Sequence, residues 1–193
     1  MVTLILGSQS PRRKELLESA GFSFEVRASG ADESLQEGID PEEAVRELSG
    51  RKSETIQLEA GEVLLTADTV VALQGEILGK PVDHQEACHF LRSLSGVQHD
   101  VYTGVTIRSR KEETSFVVRT SVTFFELTDE EIEAYIATGE VWDKAGAYGI
   151  QGKGALFVER IEGDYFSVVG LPISRVVREL KNYDIFVNGS SSA

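Results

Sequence analysis

The chain has 193 residues, 41% of them hydrophobic, and its 32 Asp and Glu outnumber its 19 Lys and Arg to give a formal net charge of −13. That length and composition suit a globular protein, and the charge excludes a surface that binds nucleic acid through many distributed cations. The only cysteine, Cys88, cannot form an internal disulfide, so we expect a cytoplasmic protein. Cys88 also shares no zinc-binding spacing with His84, His89 or His99.

The chain begins with an apolar run, residues 2–6, that is too short to span a membrane and predicts a buried strand. Ser10 is a favoured N-cap and Pro11 a favoured first helical residue, so a helix is predicted to begin there. Its unpaired amide donors would face an anion, and Arg12 and Arg13 add two guanidinium groups at the same turn. The turn is therefore predicted to bind phosphate, against the alternative of a solvated first turn.

Apolar periodicity and capping residues predict the elements that follow. Three N-caps, each followed three residues later by Glu, predict capping boxes and helix starts at Asp40, Asp83 and Thr128. In chain order we expect a strand at 23–28, a polar loop at 29–34, a helix of several turns from 40, strands at 63–73 and up to 78, a helix at 83–94, strands at 99–108 and 115–126, and a helix at 128–138.

The C-terminal part begins with a glycine-rich loop at 143–154 that is too long for a plain linker. A hairpin of strands at 155–161 and 165–169 is predicted next, then a helix from Pro172 to about Tyr183 and a disordered tail at 188–193. Helices and strands interleave with no separating linker. This pattern predicts one domain over 1–187, an α/β sheet with helices on its faces and a strongly antiparallel portion.

Asp68 is the strongest single indication of chemistry, because it lies in the middle of the β-like run 63–73. A carboxylate buried there would lose hydration, a cost that proteins offset with a partner or a metal ion. The alternative is a strand end facing solvent, or an Asp that caps a local turn. Phosphate enzymes combine such a carboxylate with cations, since phosphoryl chemistry is mostly positioning and charge stabilisation.

Other polar residues can complete a phosphate site. Lys80 follows the predicted hairpin and Lys52 lies on a predicted helix; an ordinary exposed lysine is the alternative for both. The adjacent acids Asp32 and Glu33 lie in a polar loop, where a solvated turn is the alternative. Ser8 either donates its hydroxyl to the same anion or simply ends a strand.

Competing motifs fail on spacing. Neither 75–80 nor 149–154 has P-loop spacing, and no Gly-x-Gly-x-x-Gly links a strand to a helix. Pro11 after Ser10 is incompatible with a nucleophile elbow, so covalent serine catalysis is not expected. Gln151 either reads the amide and carbonyl edge of a base or only shapes its loop.

Five motifs in order closely resemble the Maf family of nucleoside triphosphate pyrophosphatases, over about residues 4–180. They are SQSPRR at 8–13, ADT at 67–69, GKP at 79–81, LSG at 94–96 and DKAGAYGIQG at 143–152. The number, length and order of these motifs make the resemblance far more specific than any single residue above.

The resemblance implies an α/β fold with an elongated mixed sheet flanked by helices and two lobes around a central cleft, similar to inosine triphosphate pyrophosphatases. It implies hydrolysis of a nucleoside triphosphate to monophosphate and pyrophosphate with a divalent metal, Mg²⁺ or Mn²⁺ with Co²⁺ as a further option. Neither nucleic acid nor membrane is an expected partner. Homodimers are common in the family, and its name records inhibition of septum formation, which adds a cell-division partner to the expectations.

Residue roles follow from the same resemblance by position. Asp68 would be the proton acceptor and, with Glu33, a metal ligand. Five residues would surround the triphosphate: Ser8, Arg12, Arg13, Lys52 and Lys80. The branch that prefers dTTP and UTP carries Arg, Thr and Gln at three specificity positions, which are matched here by Arg12, Thr69 and Gln151.

We therefore predict a pyrophosphatase acting on dTTP, UTP and modified pyrimidine triphosphates. Water activated by Asp68 and a metal ion would attack the α-phosphorus, while the cations neutralise the leaving pyrophosphate. The alternative is a non-catalytic, nucleotide-responsive regulator of septation, which would need the cations but not Asp68. The physiological nucleotide, the metal used in the cell and the oligomeric state stay open.

Overall fold

The computed structural model describes residues 2–187 of the chain, so the predicted tail at 188–193 lies outside the described residues. Its centre is a seven-stranded mixed sheet in the order β2-β1-β3-β5-β6-β7, with the short strand β4 paired to β3. The strands are β1 (Thr3–Leu6), β2 (Phe24–Val26), β3 (Glu62–Leu73), β4 (Glu76–Leu78), β5 (Gln98–Arg108), β6 (Glu113–Phe124) and β7 (Val158–Glu162). Strand β1 pairs in parallel with β2 and β3, and the other pairs are antiparallel.

Helices flank this sheet, which confirms the predicted α/β fold class with an elongated mixed sheet. They are α1 (Pro11–Ser19), α2 (Pro41–Glu54), α3 (His84–Leu94), α4 (Asp129–Ile136), α5 (Tyr165–Val169) and α6 (Ile173–Leu180). Short 3₁₀ turns occupy Ala145–Ala147, Gly152–Phe157 and Lys181–Tyr183. No helix within residues 2–187 is long and apolar enough to cross a membrane.

Two clusters of buried side chains form the main core. The first joins α1 and α6 to β1 and includes Leu17, Leu65 and Val176. The second joins α3 and α4 to the far ends of β5 and β6 and includes Leu91 and Phe124. Because the long strand β3 contributes to both clusters, the segment between them, where Asp68 lies, is held from either side.

Helix α2 packs closely on the sheet, and one glycine permits this. A β-carbon built on Gly104 of β5 would lie 2.2 Å from the backbone oxygen of Val45. Gly104 is also the register partner of Asp68 on β3. The absence of a side chain therefore brings α2 down onto the strands directly opposite Asp68.

Several local predictions are corrected. The segment 165–169 is a helix rather than a strand, because the Asp164 carboxylate accepts hydrogen bonds from the backbone amides of Phe166 and Ser167 and starts a helical turn that overrides the β-type composition. Only Thr128 forms a complete capping box; Asp40 and Asp83 cap their helices from one side alone. Ser10 occupies the N-cap of α1, but its side chain makes no capping hydrogen bond.

Candidate active site

A cavity of about 830 Å³ opens along the middle of β3, between Ala67 of the first core cluster and Val71 of the second. It is lined by the turn before α1, the loop before α2, β3, the end of β4 and the glycine-rich loop. Nine of the ten residues singled out from the sequence for a phosphate site line this cavity: Ser8, Arg12, Arg13, Glu33, Lys52, Asp68, Thr69, Lys80 and Gln151. The exposed loop acid Asp32 does not, since its carboxylate bonds back to the amide and hydroxyl of Ser34.

Arg13 is buried, and its guanidinium group is fixed at the wall of the cavity by three hydrogen bonds. Its Nε donates to the carbonyl oxygen of Gly170 at 2.8 Å, one terminal nitrogen donates to Ser8 Oγ at 3.2 Å, and the other donates to Thr69 Oγ1 at 3.2 Å. Burial lowers the pKa of Arg13 from its ordinary value, because the cation is desolvated there, although the charge of Asp68 acts in the opposite direction. An anion in the cavity would offset that desolvation.

The hydroxyl of Thr69 has a fixed direction, which follows from a chain of hydrogen bonds. Thr103 Oγ1 lies 2.8 Å from the carbonyl oxygen of Ser167, which can only accept, so Thr103 donates its single hydrogen there. Thr69 must then donate its own hydrogen to Thr103, 2.8 Å away, and accept from Arg13. What remains free on Thr69 is an acceptor lone pair. Thr103 is a residue that sequence reasoning missed.

Asp68 is paired, as one of the two predicted alternatives requires. Lys52 on α2 donates to Asp68 Oδ1, and the same ammonium nitrogen lies 2.8 Å from Glu33 Oε1. The Lys52 and Asp68 side chains are only 11% and 14% exposed. The hydrogen bond from Lys52 lowers the pKa of Glu33 despite partial burial, and the charges of Lys80 and Arg13 act in the same direction. Both carboxylates are therefore held around one ammonium nitrogen.

This carboxylate pair fits a hard divalent cation. Oxygens of Asp68 and Glu33 already converge on a single positive atom, the Nζ of Lys52. Mg²⁺ is typically bound through one or two carboxylates, with the remaining positions filled by water and substrate phosphates. Asp68 and Glu33 would hold such an ion, and the phosphate groups of a nucleotide would complete its coordination.

The glycine-rich loop is joined to α1 by residues that are far apart in sequence. Arg12 lies 3.4 Å from the Asp143 carboxylate, and Lys144 donates to that carboxylate at 2.7 Å and to the backbone oxygen of Glu140 at 2.7 Å. Gly146 has φ of +65° and a β-carbon there would lie 2.9 Å from Val71 Cγ1, so glycine lets the loop approach β3. Asp143 and Lys144 were visible only as parts of a motif, with no local signal for their pairing.

One aromatic side chain, Tyr148, lines the cavity at the same loop. The hydroxyl of Tyr148 is 2.8 Å from His99 Nε2, and its ring packs edge-on against Phe124 with 4.7 Å between centroids. Burial raises the pKa of Tyr148 and lowers that of His99 to about 4. Both side chains are therefore neutral near pH 7, and Tyr148 gives this side of the cavity an uncharged surface that His99 and Phe124 hold from behind.

The fold and the cavity together define a class of protein: an α/β protein whose cavity brings cationic side chains next to a pair of carboxylates. Comparison with known proteins agrees and is more specific. The family described as Maf-like protein matches residues 3–183. The chain belongs to this family, as its motifs predicted.

Relatives named dTTP/UTP pyrophosphatase align with nearly the whole chain. The protein from Bacillus pumilus is 53% identical over 186 residues, which cover 96% of this chain and 98% of its own length. The Bacillus cytotoxicus protein is 51% identical over the full length of both chains, and one from Bacillus cereus is 51% identical over 97% of this chain and 93% of its own. Among solved structures, a nucleoside-triphosphatase, or dITP/XTP pyrophosphatase, from Mycobacterium abscessus aligns with 72% of this chain and 95% of its own at 14% identity and a TM-score of 0.41.

Proposed function

We propose that the chain is a nucleoside triphosphate pyrophosphatase that hydrolyses dTTP and UTP, together with modified pyrimidine triphosphates, to the monophosphate and pyrophosphate. One observation carries the proposal: a single cavity combines buried Arg13 with the Lys52 ammonium, which bridges Asp68 and Glu33. The relatives named dTTP/UTP pyrophosphatase, at 51–53% identity over nearly the whole chain, support the choice of nucleotide.

Asp68 is the proposed proton acceptor. Lys52 holds the Asp68 carboxylate in place by a hydrogen bond, and this carboxylate takes a proton from water as the water oxygen attacks the α-phosphorus. The bond between the α-phosphorus and the oxygen that bridges it to the β-phosphate then breaks. Negative charge builds up on the leaving pyrophosphate. Arg12, Arg13 and Lys80 are proposed to stabilise that charge, and Ser8 positions the phosphates from its bond with Arg13.

A divalent cation, Mg²⁺ or Mn²⁺, is the proposed cofactor, with Asp68 and Glu33 as its protein ligands. When bound, it neutralises phosphate charge and makes a coordinated water more acidic. Lys52 stabilises the same two carboxylates in the absence of the ion, so they converge before a ligand arrives.

The direction of the Thr69 hydroxyl supports uracil and thymine as the bases. Thr69 offers only an acceptor, since its hydrogen goes to Thr103. The N3 position of uracil and thymine is a donor, whereas N3 of cytosine is an acceptor. Gln151 and Arg12, which also line the cavity, are proposed to complete base selection.

The test is pyrophosphate release from dTTP, UTP, CTP, GTP and 7-methyl-GTP with Mg²⁺ or Mn²⁺, in wild type and Asp68→Asn. We expect release from dTTP and UTP, and a fall in kcat of at least ~100-fold in the variant with nucleotide affinity retained, because general-base loss is of this scale. Asp184→Asn is the matched control, since this exposed residue lies outside the cavity at φ of +57°, a conformation that Asn tolerates.

Each outcome has a distinct meaning. Undiminished turnover in Asp68→Asn would remove Asp68 from the mechanism. Binding of dTTP by the wild type without any release would favour the nucleotide-responsive regulator instead. Release from GTP or 7-methyl-GTP at the dTTP rate would overturn the base assignment.

The remaining assignments accompany this function. We propose that residues 1–187 form one domain, since one sheet contributes to both core clusters, and that it works in the cytoplasm, where its nucleotide substrates are. The homodimer and the cell-division partner implied by the family resemblance stay predictions.

A further inference from the structure

A second group of chemically reactive side chains lies outside the cavity, between α3 and α4. His84 and Cys88 are four residues apart on α3 and therefore share one face of the helix. Glu133 on α4 faces them, and one potential ligand atom from each residue lies within 4.8 Å of the other two. None of the three lines the cavity or takes part in the proposed reaction.

The two distances from the Cys88 sulfur match edges of a zinc coordination tetrahedron. Cys88 Sγ is 3.6 Å from His84 Nδ1 and 3.5 Å from Glu133 Oε1. Tetrahedral Zn²⁺ with its usual bond lengths to nitrogen, oxygen and sulfur requires about 3.6 Å between nitrogen and sulfur and about 3.5 Å between sulfur and oxygen. Sγ is thus spaced from each of the other two atoms as it would be in one coordination shell, and one ligand atom from each of the three residues lies within 4.8 Å of the others.

A hydrogen bond within the cluster sets the tautomer of His84. The other ring nitrogen, Nε2, is 2.8 Å from Glu133 Oε2 and donates its hydrogen there. Nδ1 then keeps a free lone pair on the side of Cys88. One carboxylate cannot accept from Nε2 and ligate an ion on Nδ1 of the same ring, so Glu133 gives up this hydrogen bond when it ligates the ion.

Neighbouring charges and exposure are compatible with an ion. Arg92, the nearby cation, is bonded to Asp129 at 2.9 Å, which neutralises it. Cys88 is 5% exposed, whereas the side chains of His84 and Glu133 are 54% and 51% exposed, so an ion can enter from solvent and keep a water molecule as fourth ligand.

We propose that His84, Cys88 and Glu133 bind one Zn²⁺ ion, or another borderline-soft divalent cation, and so connect α3 to α4. On binding, a sulfur–metal bond forms and the Cys88 thiol releases its proton to solvent. The site is separate from the carboxylate pair in the cavity, which has only oxygen ligands and suits Mg²⁺ or Mn²⁺.

Co²⁺ is the probe, because a cobalt–thiolate bond gives a charge-transfer band in the near ultraviolet. Cys88 is the only cysteine in the chain, so that band reports this site and no other, the cavity included. We expect the band to saturate at one Co²⁺ per chain and to disappear on adding one equivalent of Zn²⁺, and we expect a higher Tm with excess Zn²⁺.

Variants identify the ligands. Cys88→Ser is expected to abolish the band, and His84→Gln and Glu133→Gln to weaken Zn²⁺ binding at least ~10-fold in competition with a zinc indicator. The latter two residues are exposed, so these variants stay informative even if the serine variant folds poorly. His89→Gln and Glu130→Gln, exposed neighbours on the same two helices, are the matched controls and should bind as wild type does.

Two results would overturn the proposal. One is Co²⁺ binding with no thiolate band in the folded wild-type protein. The other is wild-type Zn²⁺ affinity in both His84→Gln and Glu133→Gln, which would leave the thiol as an isolated ligand. Neither result bears on pyrophosphate release, so the proposed function is tested separately.

Discussion

Replacing Thr103 by valine tests the hydrogen-bond chain that fixes Thr69. Thr103 is fully buried on β5, donates to the carbonyl oxygen of Ser167 at 2.8 Å and accepts from Thr69 at 2.8 Å. Valine has nearly the same shape but no hydroxyl, so both bonds disappear with little change in packing. Thr103→Ser keeps the hydroxyl, loses one methyl group and is the matched control.

The expected loss of stability follows from these contacts. Leaving a buried acceptor such as the Ser167 oxygen unsatisfied costs about 1–3 kcal/mol, and the lost bond from Thr69 adds about 1 kcal/mol. The valine variant should therefore unfold with a free energy lower by about 3 kcal/mol, against about 1 kcal/mol for the buried methyl lost in Thr103→Ser. At about 2–4 °C per kcal/mol for a chain of this size, the Tm should fall by about 9 °C and about 3 °C respectively.

We expect the valine substitution to change base specificity more than overall nucleotide binding, because it alters the hydrogen bonds that Thr69 can make. Without Thr103 as acceptor, the Thr69 hydroxyl turns freely and can donate to N3 of cytosine. We expect the ratio of kcat/KM for dTTP over dCTP to fall about 10-fold in Thr103→Val, equivalent to about 1.4 kcal/mol, and to stay near the wild-type value in Thr103→Ser.

The assays are chemical denaturation and pyrophosphate release from each nucleotide. The reasoning is refuted if the serine variant is as unstable as the valine variant, since the hydroxyl would then contribute nothing. An unchanged dTTP to dCTP ratio in Thr103→Val would separate the direction of the Thr69 hydroxyl from base selection and leave only its structural role.

Two further predictions concern His99 and Arg13. Burial lowers the pKa of His99 to about 4, so below its ordinary pKa the unfolded chain takes up a proton that the folded chain does not. The free energy of unfolding should thus fall by about 2 kcal/mol from about pH 7 to about pH 5. In His99→Gln, the free energy of unfolding measured by denaturation at each pH should fall less steeply across that range. A lysine in place of Arg13 cannot keep the bonds to Ser8, Thr69 and the Gly170 carbonyl together, so we expect kcat/KM for dTTP to fall about 100-fold in Arg13→Lys. The control Arg178→Lys, at an exposed position on α6, should leave kcat/KM unchanged, and equal values for both variants would argue against Arg13 as a phosphate ligand.

Local signals in the sequence predicted most of the fold. The apolar run before Ser8, the proline at the start of α1 and the capping box at Thr128 each act within a few residues, and each element lies where it was expected. The prediction of a strand at 165–169 was wrong because two local signals conflict there. Its β-type composition favours a strand, whereas the preceding Asp164 caps and starts a helix, and the prediction rested on composition alone.

Residue types in the site could be predicted, but not their partners. Arg12 and Asp143 are 131 residues apart, and Thr103 and the Ser167 carbonyl are 64 apart, so no local spacing relates them. The same holds for the cluster between α3 and α4. His84 and Cys88 are one helical turn apart, but Glu133 follows Cys88 by 45 residues, which is why no zinc spacing was recognised.

Lys52 shows how tertiary packing turns an ordinary residue into a functional one. In sequence it is indistinguishable from a surface lysine on an amphipathic helix. It becomes 89% buried beside Asp68 because α2 lies directly on β5, with the Val45 oxygen only 2.2 Å from where a β-carbon of Gly104 would be. Val45 and Lys52 are two helical turns apart, on the same face of α2. Gly104 is the register partner of Asp68. Because Gly104 has no side chain, α2 lies close enough to the sheet for the Lys52 ammonium to reach the Asp68 carboxylate.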